Sequence, residues 1–362
     1  MQEGHCSPGV TPRLRLEEMT REAQIAEECG WDFYGNGEQH FGRYTATVTS
    51  PEVTHAAIAA RTERLRFRPM SVNFLRYNHP IRIAEQVATL DVLSGGRAEL
   101  GGARSNNPWT LEGFGIEPHQ TTAMRNEAIR IIGKALTLEE FEHQSELYDI
   151  PKRTLSPRPV QLPPPMYISA TGIASHRHAG EMGIGAMTGA SILGWEHVQA
   201  CFDAYKTAID GTTNEWNAVN NRLSFSSVGV ACAATRAAAM EMSRDVALRF
   251  VEVNVEIYSR LSVRAEDYAY LGQIEKVRDR MHDFDYLIDC SPYITVGTPD
   301  ELIERASHMH AMGADEIIWR LDGMGHEANA AAIRLIGEQV LPVLHDLPDH
   351  EGASSAFSPR QR

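Results

Sequence analysis

The chain has 362 residues, of which 43% are hydrophobic and 23% charged, as is typical of a globular protein with a sizeable core. The formal net charge is −14, from 34 Lys and Arg against 48 Asp and Glu, which argues against nucleic acid or an anionic membrane as a partner. The five cysteines are scattered, no apolar run is long enough to span a bilayer, and the start lacks an apolar signal core. We therefore expect a cytoplasmic protein with reduced thiols and no metal site.

Short apolar runs alternate with amphipathic stretches of helical period along the chain. The first half is predicted to form helices over residues 14–29, 51–63, 80–93 and 121–140, and strands over 32–38, 67–74 and 97–104. The second half is predicted to form strands over 166–170, 185–191, 223–233 and 316–321, and helices over 175–182, 195–209, 237–259, 299–312 and 327–344. This alternation indicates an α/β protein with a parallel sheet.

The candidate strands fit a (β/α)8 TIM barrel that is one strand short. The missing or truncated strand is the first, because residues 1–10 read as a loop. Either the chain begins inside the loop after that strand, or the strand is absent and the barrel is open there. Residues 141–165 and 259–295 read as loop insertions, so we expect one domain over 1–346 and a disordered tail over 347–362.

The strongest local signal for a binding site lies in residues 166–175. The strand turns into a helix through Thr171 and Gly172, and Ser175 lies in the first helical turn. Free backbone N–H groups at a helix start, with Thr and Ser hydroxyls beside them, form a site for an anion such as phosphate. In a TIM barrel this loop lies on the catalytic face. The alternative interpretation is a helix cap that binds no ligand.

Two other positions carry groups that are suited to chemistry at a barrel mouth. Arg104 ends a predicted strand, where a guanidinium suits phosphate or carboxylate, although a surface salt bridge is an equally common role. Glu38 and His40 end another strand and share one of its faces, so the carboxylate could orient the imidazole for acid–base catalysis. The alternative for His40 is a structural histidine.

Four sequence segments resemble, in order, those of one known family. They are residues 38–41 (EQHF), 78–85 (NHPIRIAE) with 90–97 (LDVLSGGR), 164–170 (PPMYISA), and 296–303 (VGTPDELI) through Leu341-Pro342. The chain resembles the luciferase-like flavin-dependent monooxygenases, the bacterial luciferase superfamily, over about residues 14–346. This resemblance implies a TIM barrel with FMN in its C-terminal mouth and, usually, a homodimer.

The resemblance also implies positions for the flavin. The family's phosphate contacts fall on Arg104, Thr171, Gly172 and Ser175, and a non-proline cis peptide under the flavin ring would be Ser71–Val72, so these two residues are also predicted to bind the cofactor. The family's lid would lie within 260–295, and His79 is expected to support the turn before its helix. Four residues are candidates to line the substrate pocket: Trp109, Met187, Trp319 and Arg320. The alternative for Trp319 is core packing between the barrel and the helices.

The implied reaction is monooxygenation of a small organic substrate. Reduced FMN, delivered by a separate NAD(P)H-dependent flavin reductase, would react with O2 to form a C4a-(hydro)peroxyflavin that oxidises the substrate. An F420-dependent oxidoreductase on the same barrel is a second enzymatic interpretation. A flavin-binding protein without catalytic activity is a third, because family members with truncated barrels sequester flavin.

Three departures from the luciferase pattern bear on these alternatives. The luciferase motif is Glu-His-His-Phe and its first histidine is catalytic, whereas Gln39 stands at that position here and cannot act as a base. His40 matches the second histidine. The reactive cysteine of luciferase is replaced by Ala103, so light emission is not implied. The missing first strand is the third departure.

Overall fold

Helices and parallel strands alternate along the computed structural model of the chain, as predicted. The structure describes residues 1–41, 47–189, 193–290 and 293–350. The strands are β1 (Phe33–Tyr34), β2 (Arg66–Phe67), β3 (Val72–Asn73), β4 (Leu100–Ala103), β5 (Phe141–Gln144), β6 (Asp149–Arg153), β7 (Met166–Ala170), β8 (Gly185–Thr188), β9 (Leu223–Cys232), β10 (Ile294–Gly297) and β11 (Glu316–Trp319).

The helices lie between these strands and, for the most part, outside them. They are α1 (Pro12–Glu28), α2 (Pro51–Ala59), α3 (Pro80–Ser94), α4 (Pro108–Gly113), α5 (Thr121–Thr137), α6 (Ile173–Glu181), α7 (Trp195–Ile209), α8 (Arg236–Ser262), α9 (Glu275–Arg278), α10 (Phe284–Cys290), α11 (Pro299–Met312), α12 (His326–Gln339) and α13 (Leu341–His345), with 3-10 turns at Pro118–Gln120 and Glu266–Ile274. Within the described ranges, no helix combines the length and the apolar character that crossing a bilayer requires.

The parallel strands follow one another in the order β3-β4-β7-β8-β9-β11. β10 pairs with the second half of β9, and β1 pairs with β2. Isolated bridges between Gly37 and Ser71, and between Phe67 and Ala98, connect the β1–β2 pair to β3 and β4. Parallel strands wound in this order place all their C-terminal ends on one side, which is the mouth in a TIM barrel.

The N-terminal residues take the place of the missing strand between β11 and β1. Met1–Val10, all of which the structure describes, contain no regular strand. The N-terminal nitrogen of Met1 nevertheless donates to the carbonyl of Trp319 at 2.8 Å, and the N–H of Gln2 donates to the carbonyl of Gly35 at 2.9 Å. The first strand is therefore missing from the described residues, as predicted, and hydrogen bonds of Met1 and Gln2 connect the end of β11 to the residue after β1.

Helix starts and ends follow local sequence signals. Thr11 accepts a hydrogen bond from the N–H of Leu14 and precedes Pro12, the first residue of α1. His79 caps α3 through its Nδ1, which accepts from the N–H of Ile81 at 3.2 Å, so its predicted role in supporting this turn is confirmed. α3 ends at Gly95, whose φ of 66° is in the left-handed region that favours glycine.

Two different environments fill the two sides of the barrel wall. Outside, aliphatic residues of the strands pack against the helices in an apolar core that includes Val72, Ile168 and Ile132. Inside, the guanidinium of Arg68 is fully buried and forms salt bridges with Glu99 (2.6 Å) and Glu316 (2.8 Å). Burying an arginine is tolerated because both carboxylates and the hydroxyl of a neighbouring serine satisfy its donors.

Some regions differ from their sequence-based prediction. The presumed loop insertion 141–165 contains the antiparallel hairpin β5–β6, and the irregular stretch 259–295 contains a 3-10 turn, two short helices and the start of β10. Of the predicted tail, 351–362 lie outside the described residues, as does the end of the strand predicted over 185–191. His350 stacks on His310 with ring centroids 4.3 Å apart, so the chain is still packed at that point.

Candidate functional site

A cavity of about 620 Å³ opens at the C-terminal ends of β4 and β7. Arg104 enters it directly after β4, and Gly172 and Ser175 enter it from the turn between β7 and α6. The structure thus brings together three of the four residues predicted to bind phosphate, and the fourth, Thr171, bonds to a residue of the lining. The cavity is also lined by Thr122, Arg125, Asn126, Ile173, Ala174, His178, Glu181, His197, Glu266, Tyr270 and Gln273.

The guanidinium of Arg104 is held in a defined position. Its Nη1 donates to the hydroxyl of Thr122 at 2.8 Å, and its Cζ lies 4.0 Å from the ring centroid of Tyr268. The hydroxyl of Tyr268 in turn donates to the carbonyl of Ser105 at 2.8 Å. A guanidinium that is fixed on both sides binds an anion with little loss of conformational entropy.

The turn between β7 and α6 is stabilised by one serine and one histidine. The Oγ of Ser175 accepts from the N–H groups of Thr171 (3.2 Å) and Gly172 (3.1 Å) and donates to the carbonyl of Gly172. His176 is fully buried and bonds to that same carbonyl and to the hydroxyl of Thr188 at the end of β8. Burial lowers the pKa of His176 to about 4, so this link is neutral at pH 7.

Tyr270 lies over this turn. Its hydroxyl is hydrogen bonded to the hydroxyl of Thr171, and its ring carbons lie 3.3 Å from the position that a Cβ would take at Gly172. A side chain larger than that of glycine at position 172 would therefore press on the ring. The 3-10 turn that carries Tyr268 and Tyr270 belongs to the region 260–295, where the family lid was predicted.

Arg125 and His178 add positive or potentially positive groups that the sequence interpretation did not identify. Burial, followed by the nearby charge of Arg125, lowers the pKa of His178. Two guanidiniums, several hydroxyls and a helix start in one cavity form a donor set that fits a phosphate ester. The position of Arg125 near the start of the predicted helix 121–140 was the one available signal for it. No sequence pattern pointed to Tyr268 or Tyr270.

Glu38 and His40 lie together, as predicted, with His40 Nε2 and Glu38 Oε1 2.7 Å apart. Glu38 is buried and also accepts from the N–H of Asn73 (2.9 Å), the hydroxyl of Tyr77 (3.0 Å) and the amide of Asn78 (3.3 Å). These donors occupy both carboxylate oxygens and connect the loop after β1 to β3 and the loop that follows it. The geometry therefore gives Glu38 a structural task in addition to any role in acid–base chemistry.

The interior face of the same segment carries Gln39. A Cβ at Gly37 would lie 2.9 Å from Oε1 of Glu3, 3.0 Å from Oγ of Ser71 and 3.5 Å from Nε2 of Gln39. Ser71 therefore lies near the mouth, as its predicted flavin contact requires. Val72 does not, because its side chain is buried in the core between the barrel and the helices.

The expectation of a cis peptide at Ser71–Val72 is wrong. The cis bonds of the described residues are Ser156–Pro157 and Leu162–Pro163, and both precede proline, where the cis form is least costly. At Ser71–Val72 the chain is regular enough for Ser71 to bridge to Gly37 and for Val72 to pair with Gly102 of β4.

The residues predicted to line the substrate pocket lie in different environments. Trp319 packs edge to face on Trp31 among the residues between barrel and helices, which is the packing alternative foreseen for it. Met187 is buried in the barrel interior beside Met70 and Ile318. Arg320 forms an ion pair with Glu3 at 3.0 Å, and Trp109 lies beneath the guanidinium of Arg260.

Comparisons with known proteins agree with this fold. The model of the family described as luciferase-like monooxygenase matches residues 2–316. The oxygenase component of the flavin-dependent trigonelline monooxygenase of Acinetobacter baylyi is 26% identical over 350 residues, which cover 93% of this chain and 92% of that protein.

Solved structures with low sequence identity share the fold. The monooxygenase RslO1 from Streptomyces bottropensis has a TM-score of 0.77 at 24% identity, over 94% of this chain and 98% of that one. The oxygenating constituent of 3,6-diketocamphane monooxygenase from Pseudomonas putida, solved in complex with FMN, has a TM-score of 0.69 at 19% identity, over 94% and 96% of the two chains. The predicted TIM-barrel-type fold, monooxygenase class and family are confirmed: the chain belongs to the luciferase-like monooxygenase family.

Proposed function

We propose that this protein is the oxygenase component of an FMN-dependent monooxygenase that receives reduced FMN from a separate NAD(P)H-dependent flavin reductase. The observation that carries the proposal is the convergence of Arg104, Gly172 and Ser175 on one cavity at the barrel mouth. The trigonelline enzyme supports the division of labour, because its name identifies it as the oxygenase component of a flavin-dependent system. A cytoplasmic homodimer is part of the same proposal.

In this proposal the cavity holds the phosphate of FMN. Arg104 and Arg125 supply charge, Ser175 and Thr171 supply hydroxyls, and the N-terminus of α6 supplies backbone N–H groups. Ser71, whose hydroxyl lies beside Gly37, would support the flavin ring, and Val72, whose side chain packs in the outer core, would do so only through its backbone. When bound, reduced FMN supplies the electrons for O2 activation, with one oxygen atom entering the product and the other leaving as water.

The protein's own task is to position the substrate, exclude water and control protons. His40 is the proposed proton-transfer group, and Glu38 orients its imidazole through the 2.7 Å contact. The three other donors to Glu38 hold this carboxylate in place. Tyr270, bonded to Thr171, would cover the phosphate and limit the access of water to the cavity.

The proposal is tested by titrating the purified protein with FMN, with reduced FMN under anaerobic conditions, and with F420. We expect reduced FMN to bind at micromolar concentrations. A reductase-coupled reaction under 18O2, with a panel of small phenolic, heteroaromatic and carbonyl substrates, should then yield a product that contains 18O.

Each competing function predicts a different result. Binding of F420 without binding of FMN or reduced FMN would overturn the proposal in favour of a deazaflavin oxidoreductase. Tight binding of FMN without labelled product across the panel would identify a protein that binds flavin without using it.

A further inference from the structure

The segment after β1 directs alternate side chains to opposite sides of the barrel wall. A Cβ at Gly35 would meet Met70, which packs with residues of β7, β8 and β11 in the barrel interior. Tyr34, one position earlier, packs outside among Ile58 and Phe67. Gly35, Gly37 and Gln39 therefore share the interior face.

Gln39 is bonded to the N-terminal segment. Its Nε2 donates to Oε1 of Glu3 at 3.2 Å. The other oxygen of Glu3 forms an ion pair with Arg320 at 3.0 Å, and both partners are largely buried, with 12% and 15% of their side chains exposed. Arg320 is itself backed by the ring of Phe250 at 4.5 Å. A series of polar contacts thus joins three elements: the N-terminus, the loop after β1 and the end of β11.

This chain of contacts determines which way the Gln39 amide faces. An ionised carboxylate only accepts hydrogen bonds, so the group that Gln39 turns to Glu3 is its NH2. Its carbonyl oxygen then points away from Glu3. Within the described part of the chain this oxygen has no hydrogen-bond partner, and it is not among the buried polar atoms that lack one, so it is open to solvent or to a ligand.

Close packing keeps this amide beside the proposed flavin-binding residue. The Oε1 of Glu3, the Oγ of Ser71 and the Nε2 of Gln39 all lie within 3.5 Å of the position that a Cβ would take at Gly37. Any residue larger than glycine at position 37 would push these groups apart. The amide of Gln39 is therefore held at the barrel mouth near Ser71.

We infer that Glu3 is a positioning residue that fixes the carbonyl of Gln39 toward the substrate, so that the enzyme selects substrates with a hydroxyl or N–H donor. This inference rests on the proposed function for the location of the substrate. In luciferase the corresponding histidine can change its protonation state, whereas an amide cannot, so this position here is suited to recognition. A substrate whose donor is blocked would leave the carbonyl without a partner.

The test uses two probes that differ only in the donor, 4-ethylphenol and its methyl ether. Each is titrated calorimetrically into the FMN-saturated protein. We expect the phenol to bind about 3- to 10-fold more tightly than the ether, the range for one net hydrogen bond. Glu3→Gln, which frees the amide to rotate, and Gln39→Met, which removes it, should each reduce this ratio to below about 2-fold.

The ratio of the two affinities distinguishes a positioning role of Glu3 from structural damage, because a general loosening of the mouth weakens the binding of both probes equally. Glu17→Gln provides a matched control, since it breaks an exposed Glu–Arg pair on α1 and should leave the ratio unchanged. If Glu3→Gln does not fold, Gln39→Met still tests the acceptor. Equal affinity for the two probes in the native protein, or an unchanged ratio in both variants, overturns the inference. FMN affinity, measured in the same samples, reports separately on the proposed function.

Discussion

The cavity around Arg104 and the loop after β1 both lie at the C-terminal ends of the strands, but their side chains are arranged in different ways. At the cavity, residues from β4, α5 and the β7–α6 turn converge on one volume. In the loop, neighbouring residues diverge, with Glu38 bonded to the β3–α3 loop and Gln39 bonded to Glu3. A helix start directs its donors by local geometry, whereas the side chains of an extended segment depend on which face becomes the interior.

The largest expected effect concerns the divergent region. Glu38→Ala removes the acceptor of four donors, three of them on the β3–α3 side. Leaving several buried donors unpaired should lower the free energy of unfolding by about 3 kcal/mol. Denaturant unfolding measures this, with Glu17→Ala on the exposed face of α1 as a control that should change stability by less than about 0.5 kcal/mol. If Glu38→Ala also lowers the free energy of unfolding by less than about 0.5 kcal/mol, the carboxylate has no structural role.

The convergent region should respond through ligand affinity. Arg104→Ala removes a guanidinium that is held by Thr122 and Tyr268. We expect FMN affinity to fall about 10- to 100-fold, the range for a hydrogen bond to a charged group, while the thermal midpoint of the free protein changes little. Flavin fluorescence quenching measures the affinity, and Arg13→Ala, an exposed arginine on α1, is the control. Unchanged affinity would show that the phosphate lies elsewhere.

Two buried histidines, one beside each region, should make the protein sensitive to acid. Burial lowers the pKa of His55, which packs on Tyr34, to about 3, and that of His176 to about 4. Below pH 6.5 the unfolded chain binds protons at these sites while the folded protein does not. Each site therefore lowers stability by up to about 1.4 kcal/mol per pH unit as the pH falls from 6.5 toward its folded pKa.

The two histidines differ in their hydrogen bonding, and substitution of each should reveal the difference. Within the described residues neither ring nitrogen of His55 has a partner, whereas both nitrogens of His176 are bonded. His55→Phe should remove its share of the acid sensitivity and change stability at pH 7 by less than about 1 kcal/mol. His176→Phe should destabilise at pH 7 as well. Denaturant unfolding at pH 5 and pH 7 tests both, and equal losses from the two variants at pH 7 would contradict this account.

The smallest expected effect is that of the helix cap. Ser175→Ala removes an acceptor for two backbone N–H groups and should lower stability by about 1 kcal/mol, with a loss of FMN affinity of a few fold. Ser175→Thr retains the hydroxyl and should restore most of both quantities. If neither substitution changes FMN affinity, the turn does not contact the phosphate.

The sequence alone predicted the parts of the molecule that depend on local patterns. The strand Met166–Ala170 and the helices Trp195–Ile209 and Pro299–Met312 begin and end where predicted, because Pro, Gly and Thr mark their boundaries. The convergence of Arg104, Gly172 and Ser175 followed from placing each of them at the end of a parallel strand. Contacts between residues far apart in sequence, such as Thr171 with Tyr270, carried no local signal.

The remaining differences between the structure and the sequence-based prediction arise from strand register and from pairing between residues far apart in the sequence. Residues 1–10 were read as loop, yet the backbone of Met1 and Gln2 bonds to Trp319 in β11 and to Gly35 directly after β1, which lie more than 300 and 30 positions away. The sequence interpretation directed Glu38 and His40 to the barrel mouth, whereas the structure puts Gln39 beside Glu3 and Ser71 on the interior face, because alternation alone states which residues share a face and not which face is inside. The cis peptide expected at Ser71–Val72 came from the family pattern and is not present in this chain.

The measurement that tests the central claim most directly is the affinity of the native protein for FMN compared with riboflavin. The two molecules differ only in the phosphate, so their ratio isolates the cavity at β4 and β7. We expect FMN to bind at least about 30-fold more tightly, and Arg104→Ala to reduce the ratio to within about 3-fold. Equal binding of FMN and riboflavin by the native protein would contradict the assignment of this cavity to the phosphate.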